Sequence, residues 1–214
     1  MHTQLTTKSL SKLFILLFIL SPLYAGCEWS KTPIQGDYQI KQKKLTVSDY
    51  SEIEIYLPAE IIYQQFSEER PYLQINTDEN IFSHLDIRVE NHKLIVDTKP
   101  DSVINPTKLI IYTTSTSLTR VNQSSSGNLR LAGEVNSLDL TLDLNGNGKI
   151  STDSLLCQKL QINLNGTGNV NLVGTAGETY FTVNGAGIID ATKYFSEDID
   201  TKIGGLGKIV ERSI

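Results

Sequence analysis

Asp139 and Asp143 lie four residues apart in a run that alternates apolar and polar side chains. A strand would therefore set both carboxylates on one face, near the separation of a glycosidase pair. Stacked-strand enzymes that cleave polysaccharides use such clustered carboxylates, so this is the one enzymatic reading the residues offer. Nothing in the surrounding sequence marks a pocket that would raise the pKa of either group, as a general acid requires. Asp143-Leu144-Asn145-Gly146-Asn147-Gly148-Lys149-Ile150 also matches the opening of an EF-hand calcium loop. The twelfth position, which needs a bidentate carboxylate, is Ser154, and the flanks alternate with a period of two where helices are required. Gly-x-Gly phosphate cradles need a following helix, and here a strand pattern follows. His84 and His92 sit near predicted turns, and no Gly-x-Ser-x-Gly elbow is present. The sequence therefore predicts no catalytic residue, no metal and no cofactor.

The ends carry a different chemistry. Lys8 and Lys12 precede the apolar run Leu13–Leu20, and small residues follow. That run is too short to span a bilayer, so residues 1–26 read as a secretory signal. Leu23-Tyr24-Ala25-Gly26-Cys27 resembles a bacterial lipobox, which makes Cys27 the expected lipidation site, carrying palmitate-like acyl chains. Tyr24 departs from that pattern, and ordinary cleavage after Ala25 is the alternative. Acyl chains contribute about 0.8 kcal/mol per buried methylene, so more than one gives stable anchoring. Cys157 is the only other cysteine. It is a lone buried thiol if Cys27 is acylated, and a disulfide partner in an oxidising compartment otherwise. Without residues 1–26 the net charge moves from −5 to about −7. No concentrated basic face exists, which excludes nucleic acid. Lys41, Lys43 and Lys44 form the one basic cluster and read as a solvated strand edge.

What must position these residues is a repeat. Gly127, Gly148, Gly168, Gly187 and Gly207 recur at a spacing near 20 residues, inside SSSGNLRL, NGNGKIST, NGTGNVNL, NGAGIIDA and GGLGKIVE. A period of that length marks a solenoid of stacked rungs. The structural turns are Asn145, Gly148, Asn165, Gly168, Asn184, Gly187 and Gly207, where a sharp corner calls for residues that tolerate positive φ. Stacked asparagines are expected to bridge rungs. Between corners, Leu138, Leu140, Leu142 and Leu144 are predicted inward, followed in later rungs by Leu160, Ile162 and Leu164, then Phe181 and Val183, then Ile203. The first corner, Ser124-Ser125-Ser126, breaks the pattern. Asp139, Thr141, Asp143, Gln161, Asn163 and Thr182 face outward as a row of hydrogen-bonding groups and form the candidate ligand face.

The first half has no glycine from Asp37 to Ser126. Leu45/Val47, Ile53/Ile55/Leu57, Leu73/Ile75, Leu85/Ile87/Val89, Leu94–Val96 and Leu109–Ile111 read as strands. Asn91-His92 suits a hairpin turn, and Asp78–Phe82 one helical turn. The fold class is all-β: a parallel β-helix-like solenoid of about 20-residue rungs, preceded by an antiparallel or mixed β region. Domains follow as a signal at 1–26, a lipid-anchored tether at 27–36, and a single β domain at 37–214.

Asn145–Ile150, Asn165–Val170 and Asn184–Ile189, together with Tyr50–Ile55 and Val89–Val96, carry a resemblance. A secreted chain with non-repetitive strands first and then rungs ending in Gly-x-Ile or Gly-x-Val resembles the head GIN-domain family of autotransporter-adhesin-like proteins. The likeness runs from about Leu45 to Val210. It implies a β-solenoid-like fold at the bacterial cell envelope, often on lipoproteins, and supplies no catalytic residues. The function expected is a non-enzymatic, lipid-anchored module at the outer membrane, the cell surface or in the periplasm that binds a polysaccharide or an envelope protein. A polysaccharide-acting enzyme and a structural or regulatory lipoprotein are the alternatives. No polar cap follows Gly207, so self-association through that end, giving a homo-oligomer, is a further expectation.

Overall fold

A computed structural model describes residues 31–66 and 71–212. The expected signal and Cys27 lie outside the described residues. No helix among those described is long and apolar enough to cross a membrane.

The described chain is all-β, with one short 3-10 helix. β1 (Ile34–Gln35), β2 (Ile40–Thr46), β3 (Glu52–Ile55), β4 (Glu60–Gln65) and β5 (Tyr72–Asp78) precede that helix, Glu79–His84. β6 (Leu85–Glu90), β7 (Lys93–Thr98), β8 (Ile104–Asn105), β9 (Leu109–Ser115) and β10 (Arg120–Gln123) follow. Four long strands then run almost without interruption: β11 (Asn128–Leu144), β12 (Lys149–Leu164), β13 (Asn169–Val183) and β14 (Ile188–Ile203). β15 (Lys208–Glu211) is last. Apart from the β1–β8 pair, all strands join one curled open sheet.

The curl arises because β11 to β14 bend. From β11 to β14 each strand pairs in parallel with its neighbour at both ends, with a shift of register between, as from Leu131 to Glu134 in β11. Gly133 takes φ +71° at that shift, where a side chain would be strained. Two faces result. One runs β6, β7, β3, β10 and then the C-terminal parts of β11 to β14. The other runs β2, β5, β9, β4, then the N-terminal parts of β11 to β14, and β15.

The core lies inside the curl, because strand alternation sends every second side chain there. Leu94, Ile53, Val121, Leu142, Ile162 and Phe181 stand in register on one face. Ile111, Ile61, Leu129, Ile150, Val170 and Ile189 do so on the other, and all twelve are buried. A one-residue slip would expel each large side chain at about 1.5–3 kcal/mol. Buried hydroxyls pair among themselves, Tyr50 with Thr113 (2.6 Å), Tyr63 with Ser115 (2.9 Å) and Thr179 with Tyr194 (2.7 Å).

Leu138 corrects the predicted inward set. It is 67% exposed, while Leu140, Leu142 and Leu144 are buried. The alternation breaks between Leu138 and Asp139, which both face out, and the Ser137 hydroxyl donates to the carbonyl of Asp139 (2.9 Å) across that break. Ser196 repeats that bond with the carbonyl of Asp198 (2.8 Å). Ile203 is also 52% exposed, because no strand among the described residues lies beyond it.

The first half supplies further layers out of sequence order. β3 and β4 lie between β7 and β9 on one side and β10 and β11 on the other. β5 on β9, β2 on β5 and β6 on β7 then close that end with antiparallel pairs. Asn91 and His92 both take positive φ, as the predicted β6–β7 hairpin turn demands. The Lys41, Lys43 and Lys44 side chains line the edge strand β2, where charge discourages further pairing.

Candidate functional site: the outer polar face

The corners fix the spacing of the outer face, and their chemistry differs from the expectation. None of Asn145, Asn165, Asn184, Gly148, Gly168, Gly187 or Gly207 has positive φ. Glycine is required there for close approach. A Cβ on Gly148 would collide with the carbonyl oxygen of Gly127, on Gly168 with that of Gly148, on Gly187 with that of Gly168, and on Gly207 with that of Gly187. Gly146, Gly166, Gly185 and Gly205 form a second such column. Main-chain bonds tie the same groups: Asn169 N–H to Gly148 (3.0 Å), Ile188 to Gly168 (3.2 Å), Lys208 to Gly187 (3.1 Å).

Asparagines stack beside this column as predicted. Asn184 donates to Asn165, Asn165 to Asn145 and Asn145 to Asn122, each at 2.8 Å. The ladder's first member is Asn122, two residues ahead of the irregular corner Ser124-Ser125-Ser126. The irregular first corner still stacks: Ser125 presents its carbonyl under Gly146, and Ala59 presents its own under Gly127. Gln123 is buried there and donates to the Gly127 carbonyl, while its Oε1 has no partner.

On the outer face, the stacking sets polar side chains in columns. One contains Lys93, Glu52, Arg120, Thr141, Gln161, Tyr180 and Asp200. The next contains Glu54, Asn122, Asp143, Asn163, Thr182 and Lys202. A third contains Asp139, Lys159, Glu178 and Asp198. All six predicted face residues are thus brought to one sheet face.

They do not have equal standing. Asp143 is only 6% exposed. One of its oxygens takes the Arg120 guanidinium at 2.7 Å and the other the Asn163 amide at 2.7 Å. Its carboxylate is committed inside the protein, unlike that of a catalytic pair. Asp139 and Gln161 are exposed, and Thr141 and Thr182 are half-buried. Sequence reasoning missed Arg120, Asn122, Lys159 and Tyr180. Stepping back one period from Thr141 and Asp143 reaches the first two. Lys159 stands 4.9 Å over the Tyr180 ring. At the far end Lys93 binds Glu54 at 2.6 Å, and that bond holds the Glu54 carboxyl below its ordinary range.

The remaining candidates lie apart. His92 is exposed at the hairpin, and His84 Nδ1 is 3.3 Å from Ser102 Oγ. No cluster of metal-ligating side chains occurs among the described residues. Cys157 is a free thiol beside Ser137 and Ala176, and burial pushes its pKa up to about 11. It lines an open cavity of about 460 Å³ with Leu138 and Leu156.

The family model for "Putative auto-transporter adhesin, head GIN domain" matches residues 49–210. No curated protein matches. A solved structure from Bacteroides fragilis, called a putative adhesin, is 25% identical, with 82% of this chain and 81% of that one covered and a TM-score of 0.78. Another putative adhesin, from Parabacteroides distasonis, is 18% identical over 84% of this chain and 100% of that one, TM-score 0.72. A third, called a putative lipid binding protein and from the same species, is 20% identical over 85% and 100%, TM-score 0.64. The last two speak to fold alone. With the family model covering most of its length, this chain belongs to the head GIN-domain family.

Proposed function

We propose that this protein is a non-enzymatic, adhesin-like binding module of the bacterial cell envelope, held to the membrane through acylated Cys27. Its stacked strands are read as a β-solenoid of about 20-residue rungs. The outer polar face binds an extended ligand, a polysaccharide or an envelope protein. The observation that carries this reading is the regular spacing of Thr141, Gln161, Tyr180 and Asn122, Asn163, Thr182 down one sheet. With Asp143 between Asn122 and Asn163, neighbouring positions in each column stand about 4.8 Å apart, a repeat that an extended chain can follow. Tyr180 adds an aromatic surface of the kind sugars stack upon. Family membership supports the adhesin-like role, and the commitment of Asp143 to Arg120 and Asn163 counts against hydrolysis.

The test is a glycan array with parallel pull-down from envelope extract, using the folded chain and a Gln161→Ala/Tyr180→Ala/Thr182→Ala variant. Capture of a ligand by the first and its loss from the second supports the face. Capture that survives the triple substitution, or no capture by either, sinks it. Intact mass of the membrane-extracted protein tests the anchor: acyl chains on Cys27 are expected, and an unmodified terminus after Ala25 contradicts them.

A further inference from the structure

The two ends of the sheet are finished differently. β6 and β2 are antiparallel edges lined with charge, including Arg88 between Asp86 and Glu90. At the other end β15 covers β14 only from Ile188 to Ala191. From there to Ile203 the outer edge of β14 has no strand beside it among the described residues. Phe195 is 60% exposed, Ile203 52% and Leu206 94%. The inward column of the previous layer, Thr179, Phe181 and Val183, is buried; its continuation leaves Ile199 half-buried and Thr201 and Ile203 exposed.

The uncovered segment is self-complementary. It reads Ile199-Asp200-Thr201-Lys202-Ile203. Turned about a two-fold axis through Thr201, it sets Ile199 against Ile203, Asp200 against Lys202 and Thr201 against itself. The backbone phase agrees. Gly204 donates its N–H to Val183 (2.8 Å), so alternation turns the N–H and C=O of Ile199, Thr201 and Ile203 towards the open edge. Those residues are the ones that exchange both main-chain bonds in an antiparallel pair with this centre.

We propose that the open edge of β14 takes a second copy of this chain, antiparallel, centred on Thr201. The isologous contact continues the sheet across the axis. It places two Asp200–Lys202 pairs on the outer face and closes the end of the core with four isoleucines.

Sedimentation velocity of the full chain in mild detergent tests this. The wild type sediments as a concentration-dependent dimer. Asp200→Lys sets lysine against lysine, and Lys202→Asp sets aspartate against aspartate. Each weakens dimerisation by roughly tenfold. Both side chains are exposed, so circular dichroism of both variants matches the wild type. The double variant Asp200→Lys/Lys202→Asp restores the dimer, and an equimolar mixture of the two single variants forms a heterodimer. A wild type that stays monomeric, or a dimer indifferent to the single changes, or one not restored by the double change, overturns the proposal.

Discussion

The layers from Gly127 onward and the layers before it achieve the same parallel pairing by different means. In the later part each layer follows its neighbour in sequence, glycines stack on the backbone of the preceding corner, and asparagine amides link the corners from Asn145 to Asn184. In the earlier part the layer formed by β3 and β4 lies between segments that come dozens of residues later. Its corner, Tyr56 to Ala59, contains no glycine, although the Gly127 backbone lies against Ala59. A repeated corner must accept a backbone both above and below it. A corner reached once can use an ordinary side chain.

Substitutions can break this comparison. The largest effect is expected at Gly166, where a Cβ would collide with the Gly146 carbonyl. Gly166→Ala should cost more than about 4 kcal/mol or prevent folding. Gly177→Ala meets only the Gln158 carbonyl at 3.0 Å and should stay within about 1 kcal/mol. Urea denaturation of both reads the difference, and equal losses would contradict close stacking as the reason for glycine.

Asp78 is the corresponding fastener of the first half. Burial opposes its charge, but the Thr107 hydroxyl and the N–H groups of Thr107, Tyr38 and Lys108 outweigh it and hold its carboxyl below the ordinary range. The Tyr38 and Thr107 bonds are 2.9 and 2.8 Å. A lowered folded pKa stabilises above the unfolded value, about 4, and that contribution is lost as pH falls through the folded one. Asp78→Asn should cost about 3 kcal/mol at neutral pH. It should also flatten the acid side of the stability profile, measured by denaturation between neutral pH and pH 3.

Arg120→Ala leaves the buried Asp143 carboxylate with only Asn163. A loss of about 2 kcal/mol is expected, and Asp143→Asn in the same chain should recover part of it. Asn165→Ala interrupts an exposed ladder and should cost about 0.5–1 kcal/mol. An Asn165 effect larger than that at Arg120 would mean the asparagines, rather than the face network, hold neighbouring layers together.

Legibility in the sequence follows the same division. Leu140, Leu142, Leu160 and Ile162 were readable because alternation and period agree over four layers. The asparagine ladder was readable because its members recur in phase. Leu138 departs from the prediction because the alternation breaks between it and Asp139, and no period-two pattern records such a break. The role of the corner glycines was misassigned, since sequence shows the residue but not whether φ or a neighbouring backbone demands it. β4 is absent from the strands predicted above, although its Ile61 and Tyr63 alternate inward like the rest. Arg120 and Asn122 went unread as face residues because β10 precedes the first recognisable glycine corner.

β11 to β14 lie in parallel register about twenty residues apart, with Asn147 beside Thr167 and one layer further from Ala186. Cysteine pairs at those exposed positions test it in a chain whose Cys27 and Cys157 are serine. The pair at 147 and 167 stands within disulfide reach, whereas the pair at 147 and 186 is separated by two strand spacings, about 9.6 Å. Rapid oxidation of the first pair and not of the second is the predicted result. Oxidation of the second in preference to the first, or of neither, would contradict the stacked register.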